Sequence, residues 1–346
     1  MNAPAYRILD GHVHAFGPDV ESLRRLLALE KKFGYEACCF LSCECMNDAS
    51  QNALALCLKA LAPENYAFGG LSYRTPLDFV QELDALMEAG LDGMKMVEDK
   101  PTLRREIGVP FNDARYNGFY AALEARGIPL LAHVGDPEEF WDPAAIPAWA
   151  KAAGYDYSAG GYPPKETLYA EVEDVLCRFP RLHIILAHLF FLSGDLERLD
   201  ALMTRHPQVC LDIVAGTEMY FNFATRPADW RTFFLKYQDR ILFGTDNSNI
   251  TDPTELENAR ITNRLEVGFL TASGEVPAWD RPGIGVDLPR EVCEKIFRSN
   301  FLRLVGAAPR PLNHDAAARY LENRLSHFPL TPAERTFLQH VLSLLR

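Results

Sequence analysis

Short apolar runs and stretches with helical periodicity alternate from one end of this chain to the other, and this alternation constrains the fold more than any other feature. The apolar runs end near His14, Ser42, Ser72, Val97, His133, His188, Val214 and Asp246. Between them lie the amphipathic segments Val20–Phe33, Ala49–Leu61, Pro76–Ala89, Asn112–Arg126, Lys165–Phe179, Leu196–His206 and Asp229–Tyr237. Continuous apolar strands mark a parallel sheet covered on both faces. Eight such strands separated by helices predict an α/β fold, a closed (β/α)8 TIM barrel. Gly127-Ile128-Pro129, Phe179-Pro180-Arg181 and His206-Pro207 place helix-stopping residues just before strands, as αβ connections require. The pattern assigns residues 1–306 to the barrel. Residues 307–346 form a helical extension, with helices expected at Asp315–Arg324 and Thr331–Leu345, packed on the barrel or at a subunit interface.

Of the 346 residues, 48% are hydrophobic, enough for a large core. A net charge of −12 argues against a general nucleic-acid binder, because phosphate contacts need clustered Lys and Arg. No apolar run approaches the roughly 20 residues of a membrane span. Residues 1–20 show no basic segment followed by an apolar one, so a cytoplasmic protein is expected. The eight cysteines sit mostly in core-like runs and are expected to be reduced thiols. Cys43-Glu44-Cys45 lacks the second cysteine pair of a structural zinc site. The expected partner is a small molecule, with room for a homo-oligomer.

Two segments exceed a minimal barrel. Gly135 to Pro164 carries Trp141, Trp149, Tyr155, Tyr157 and Tyr162, and in a barrel it lies over the C-terminal mouth, where chemistry takes place. It reads either as a lid or as a loop packed on its own aromatics. Asn249 to Leu288, with Trp279, should also lie at the mouth.

The barrel gathers strand ends around one opening. His12 and His14, two apart in Asp10-Gly11-His12-Val13-His14, project to one side of strand 1. His133 ends strand 5, His188 strand 6 and Asp246 strand 8. Taken singly, each histidine reads as a hydrogen-bonded structural residue; together they read as a metal site. Imidazoles with a carboxylate suit zinc, and admit manganese or iron. Such an ion lowers the pKa of bound water toward about 7, and Asp246 beside that water is placed to accept its proton.

The order H-x-H, Lys95 on strand 4, His133, His188 and Asp246 resembles the amidohydrolase superfamily, and its amidohydrolase-2 branch of metal-dependent hydrolases and decarboxylases most closely. Gly93-Met94-Lys95-Met96, Leu131-Ala132-His133-Val134-Gly135, Leu242-Phe243-Gly244-Thr245-Asp246 and Glu294–Phe301 carry the likeness, which spans residues 6 to about 306. The resemblance implies one or two divalent ions. It makes His12, His14 and Asp246 ligands, His133 a ligand or substrate contact, and His188 a ligand or a group that polarises the substrate. In binuclear relatives the strand-4 lysine is a carbamate that bridges both ions. Here Lys95 reads as that carbamate, as a point charge for a substrate carboxylate, or as an outward residue of the barrel wall.

Substrate signals are fewer. Trp141, Tyr220 and Phe221 suggest a pocket wall for a cyclic or aromatic acid. Arg226 is either a carboxylate clamp or a solvated loop residue. The leading expectation is a metal-dependent hydrolase of an ester, lactone or amide, with Asp246 as proton shuttle and His188 polarising the carbonyl. A non-oxidative decarboxylase on the same platform is the alternative. A phosphoesterase with an H-x-H start fits the spacing less well, and a catalytically silent barrel that only binds is the reading from a different class.

Overall fold

The structure, a computed structural model, describes residues 6–46, 50–74, 78–214, 216–279 and 281–346, apart from the Thr217 side chain. Its main sheet runs in chain order: β1 (Leu9–Val13), β2 (Ala37–Leu41), β3 (Tyr66–Gly70), β4 (Gly93–Asp99), β5 (Leu130–Val134), β6 (Ile184–Leu186), β7 (Val209–Asp212) and β8 (Ile241–Leu242). Successive strands pair in parallel. Val13 bridges Asn247, and the Gly11 amide donates to the Phe243 carbonyl at 3.0 Å, so the sheet comes round on itself. The chain is the TIM barrel that its apolar runs predict.

The helices follow the expected segments, with additions. They are α1 (Val20–Phe33), α2 (Gln51–Leu61), α3 (Phe79–Ala89), α4 (Pro101–Ile107), α5 (Asn117–Arg126), α6 (Ala148–Ala152), α7 (Lys165–Arg178) and α8 (Leu196–Arg205). Then come α9 (Thr217–Thr225), α10 (Pro227–Lys236), α11 (Pro253–Thr271), α12 (Arg290–Glu294), α13 (Asn300–Val305), α14 (His314–His327) and α15 (Pro332–Leu345). The starts expected at Ala49 and Pro76 lie outside the described residues. Asp19 caps α1 by accepting from the Ser22 amide, and Gly34, in the left-handed region, ends it.

The barrel interior is filled by Leu9, Leu41, Phe68, Leu131, Ile185, Cys210 and Leu242, one per strand from seven strands. Phe301 of α13 closes the bottom, its ring 5.0 Å from that of Tyr66. Val13 instead faces outward, into the layer between barrel and helices. Leu9 and Val13 are four apart and would share a face in a regular strand. The register shifts between Asp10 and Val13, and this irregularity reverses the faces. It is what turns His12 and His14 toward the barrel axis.

The aromatic insertion after β5 has its own small core of Phe140, Ala150 and Tyr157, against which Trp141, Tyr155 and Tyr162 pack. The insertion after β8 is ordered as α11 and an antiparallel hairpin, β9 (Ser273–Val276) with β10 (Gly283–Val286). At the C-terminus, α14 packs on α3 and α15 on α2. Arg324 of α14 is buried and meets both Glu82 and Glu44. No helix among the described residues is long and apolar enough to cross a membrane.

Candidate metal centre

His12 Nε2, His14 Nε2 and an oxygen of Asp246 converge within 4.8 Å of one another at the C-terminal mouth. His14 Nε2 lies 3.2 Å from His12 Nε2 and 3.2 Å from Asp246 Oδ1, and His12 Nε2 lies 3.6 Å from that oxygen. Both histidines are buried, whereas the Asp246 side chain is 43% exposed and opens to the mouth.

Hydrogen bonds fix the tautomers. His14 Nδ1 stands 2.9 Å from the Leu41 carbonyl, which can only accept, so that nitrogen carries the proton. His12 Nδ1 is held in the same way by Asp212 Oδ2 at 2.8 Å. With Nδ1 occupied on each ring, Nε2 is the atom that each turns toward the other and toward the Asp246 carboxylate, with room there for a proton or a metal ion. Bare lone pairs this close repel unless a cation lies among them. Burial disfavours a proton on His14, yet the Cys43 thiol and Asp246 outweigh it and push its pKa up to about 10. The cluster is built to hold a positive charge, and its donor set suits a divalent ion.

A second pair sits beside it. His188 Nδ1 donates to the Val214 carbonyl at 3.3 Å, and His133 Nε2 to the Gly135 carbonyl at 3.0 Å. Their other nitrogens, His188 Nε2 and His133 Nδ1, face each other at 3.1 Å. Burial, then the neighbouring His133, drives the His188 pKa down to about 3, so its ring is neutral.

Backbone strain places two of these groups. His188, Leu189, Phe190 and Phe191 all have positive φ, from 48° to 56°, a left-handed turn directly after β6. Each such non-glycine residue costs roughly 1–2 kcal/mol. Asp212 Oδ1 accepts from the His188 amide at 2.7 Å, and the Tyr169 hydroxyl donates to the Phe190 carbonyl at 3.0 Å, holding the turn. Asp246 also has positive φ, 59°, and its amide donates to the His12 carbonyl at 2.9 Å.

Lys95 is buried with Nζ 3.5 Å from His12 Nε2. It faces the centre, which removes the outward reading. Burial lowers its pKa, against the pull of Cys43, Asp212 and Asp246. Tyr220 is buried among Phe223 and Phe269, its hydroxyl donating to the Ile213 carbonyl, so it forms core and no pocket wall. Arg226 is exposed and paired with Glu197 and Asp229, so it is the solvated residue and no clamp at the mouth. Trp141 packs on Tyr157 inside the aromatic insertion, its Nε1 donating to the Pro163 carbonyl.

The two insertions enclose space next to Phe191. A hollow of about 360 Å³ begins at Phe191, whose ring stacks on His188 at 4.9 Å. It shares Pro137, Glu139, Ala145 and Glu218 with a cavity of about 800 Å³ walled by Phe140, Trp149, Phe221 and Trp279. Arg281 lies at this cavity, 3.7 Å above the Phe221 ring.

A family model described as amidohydrolase (Amidohydro_2) matches residues 3–307. The chain belongs to this family. Its members include hydratases, hydrolases and decarboxylases, and they typically use a divalent metal. Three solved structures share the amidohydrolase fold of this chain. 4-Oxalomesaconate hydratase (LigJ) of Rhodopseudomonas palustris is 15% identical, over 92% of this chain and 100% of its own, with a TM-score of 0.54. An uncharacterized TIM-barrel protein of Bordetella bronchiseptica is 16% identical, over 86% and 98%, at 0.53. The IDCase of Metarhizium anisopliae is 14% identical, over 88% and 98%, at 0.50. At these identities the likeness is one of fold. No protein of curated function matches the chain in sequence.

Asp212, Asp136, Phe191 and Arg281 went unread in the sequence. Asp212 had a signal, since it closes the apolar run of strand 7 as His133 closes that of strand 5. Arg281 had none, because only the folded insertion brings it to the mouth.

Proposed function

We propose that this amidohydrolase-family chain is a metal-dependent hydrolase that cleaves an ester, lactone or amide bond in a small ring-bearing carboxylate. The observation that carries this reading is the convergence of His12 Nε2, His14 Nε2 and Asp246 Oδ1, with both imidazoles locked in the ligand tautomer. These three residues would hold a divalent ion, most simply zinc, with manganese or iron as substitutes. When bound, such an ion supplies Lewis acidity and lowers the pKa of a coordinated water.

The remaining work falls to the chain. Asp246 stays anionic because, against the effect of burial, His14 and His12 hold its carboxyl well below the usual range. It accepts a proton at the mouth and returns it to the leaving group. His133 and His188, whose facing nitrogens stand 3.1 Å apart, are placed to bind a second ion or to meet a polar group of the substrate, His188 polarising the carbonyl in the second case. The aromatic walls exclude water and stack the substrate ring. Lys95 within the centre and Arg281 at the cavity are the cations placed to meet a carboxylate.

Non-oxidative decarboxylation is the second reading. Lys95, as an ammonium beside His12, favours it, since an uncarbamylated lysine leaves the His12–His14–Asp246 cluster as the ion site among the described residues. The experiment is elemental analysis of protein purified without chelator, paired with turnover of aryl esters, lactones, amides and hydroxyaryl acids. Bound metal with bond hydrolysis and no CO₂ is expected. Release of CO₂ would transfer the protein to the second reading. Absence of metal after incubation with Zn²⁺ and Mn²⁺ would overturn both.

A further inference from the structure

A second pocket lies on the outside of the barrel, between α1 and α11, away from the mouth. It is a slot of about 310 Å³ lined by Ile8, Phe33, Tyr35 and Val267 with the side chain of Asn263, and with Lys32, Arg260 and Arg264 around it. The slot is apolar within and cationic at its rim, on a chain whose net charge is −12. Among the described residues Arg260 pairs with Glu257, while Lys32 and Arg264 take part in no ion pair.

The inner wall of the slot reaches the metal centre. The Tyr35 hydroxyl donates to Asn263 Oδ1 at 2.6 Å, and Asn263 Nδ2 donates to Asn247 Oδ1 at 3.1 Å. Asn247 follows Asp246 directly, and its carbonyl accepts from the His14 amide at 2.9 Å. Asn263, which lines the slot, and Asn247 thus link the slot to the backbone that carries two of the three clustered donors.

We propose that this slot binds a small monocarboxylate with an apolar body and couples its occupancy to the His14–Asp246 backbone through Asn263 and Asn247. The size is at the lower end of the roughly 300–1,000 Å³ of small-molecule sites. The apolar body would fill the space between Phe33, Tyr35 and Val267. The carboxylate would sit at the rim between Lys32 and Arg264, where it gains charge-assisted hydrogen bonds without being desolvated. A ligand wedged against Tyr35 and Asn263 shifts the pair that positions Asn247. The coupling is reciprocal, so metal at the centre must change the affinity of the slot by the same factor.

Octanoate is the probe, titrated by calorimetry into full-length protein. Saturable binding is expected, weakened about ten-fold or more in the double variant Lys32→Glu/Arg264→Glu and lost in Val267→Trp, which fills the slot. Thermal unfolding and metal content of both variants should match the unmodified protein. Octanol, which lacks the charge, should bind far more weakly. A His12→Ala protein depleted of metal should bind octanoate with an affinity changed by the coupling factor, and Val267→Trp should abolish binding in that background too; metal-dependent binding that Val267→Trp leaves intact would assign the ligand to the metal centre and overturn the proposal. Unchanged affinity in both slot variants would overturn it as well. Octanoate should also slow hydrogen exchange at the His14 amide, and binding with no change there would remove the coupling.

Discussion

Asp212 Oδ2 holds His12 Nδ1 at 2.8 Å, while its other oxygen takes the His188 backbone amide at 2.7 Å. One carboxylate from β7 therefore fixes the tautomer of a strand-1 donor and the turn that carries the strand-6 donor. Asp212→Asn keeps the shape and removes the charge. Partners of this kind typically carry 10–100-fold in metal affinity. The variant should fold normally and lose metal affinity by about that factor, read by competition with a chromophoric chelator. Unchanged affinity would reduce Asp212 to a structural residue.

The chemical state of Lys95 is the test of one ion against two. With Nζ 3.5 Å from His12 Nε2, it is close enough to bind a substrate carboxylate that reaches the centre. A charge-assisted hydrogen bond of this kind is worth roughly 1.5–3 kcal/mol. Lys95→Ala should retain its metal and raise KM for carboxylate substrates about ten-fold or more. A fall from two ions to one per chain would identify the lysine as a bridging carbamate instead.

The barrel was legible because the apolar runs repeat with the spacing that buried parallel strands impose, and His12, His14, His133, His188 and Asp246 were legible as their terminal residues. The mechanism of their convergence was not. His188 lies beyond the end of β6 and Asp246 beyond β8, each turned by a positive φ that no local composition announces, since neither is glycine. The inward aim of His12 and His14 rests on a register shift that a regular alternation would not include. Tyr220 misled because its segment was not read as a helix, whereas the solvated reading of Arg226 is the one its place between α9 and α10 bears out. Tyr220, on the inward face of α9, is buried in the core.

Gly244 shows how tightly β8 presses on β1. A methyl group there would stand 2.7 Å from His12 Cβ and 2.8 Å from Val214 Cγ2, closer than real contacts allow. Gly244→Ala should push His12 out of line. The expected result is a folded protein with a lowered unfolding midpoint and impaired metal retention, measured by elemental analysis after dialysis. Full occupancy in the variant would mean that the backbone yields without disturbing the donor.

Tyr157 ties the aromatic insertion to the centre. Its hydroxyl donates to Asp136 Oδ2 at 2.5 Å, and Asp136 also binds Lys100 at 2.6 Å and stands 3.4 Å from His133 Nε2. Tyr157→Phe removes one link and leaves Lys100 in place, so global stability should change by only about 1 kcal/mol. Proteolysis within residues 142–164 should accelerate and kcat should fall several-fold with metal content intact. Equal proteolysis rates would show that the insertion is held by its aromatic packing alone.

Asp99 at the end of β4 carries a pH dependence whose sign can be derived. Its Oδ1 accepts from Arg104 at 2.9 Å, but Oδ2 is buried without a hydrogen-bond partner among the described residues. Burial raises the carboxyl pKa, Arg104 opposes it, Glu171 adds to it, and the result is about 8 against an ordinary 3.8. Between those values the folded protein keeps a proton that the unfolded chain has released, so stability falls as pH rises. The contribution is fully present below about pH 4 and is lost by about pH 8. Asp99→Asn has nothing to ionise. In urea unfolding between about pH 5 and about pH 8, the wild type should lose stability relative to the variant as pH rises, and the gap should level off above that range. A gap that stays constant across the range would show that Asp99 is ionised throughout, with Arg104 outweighing its burial.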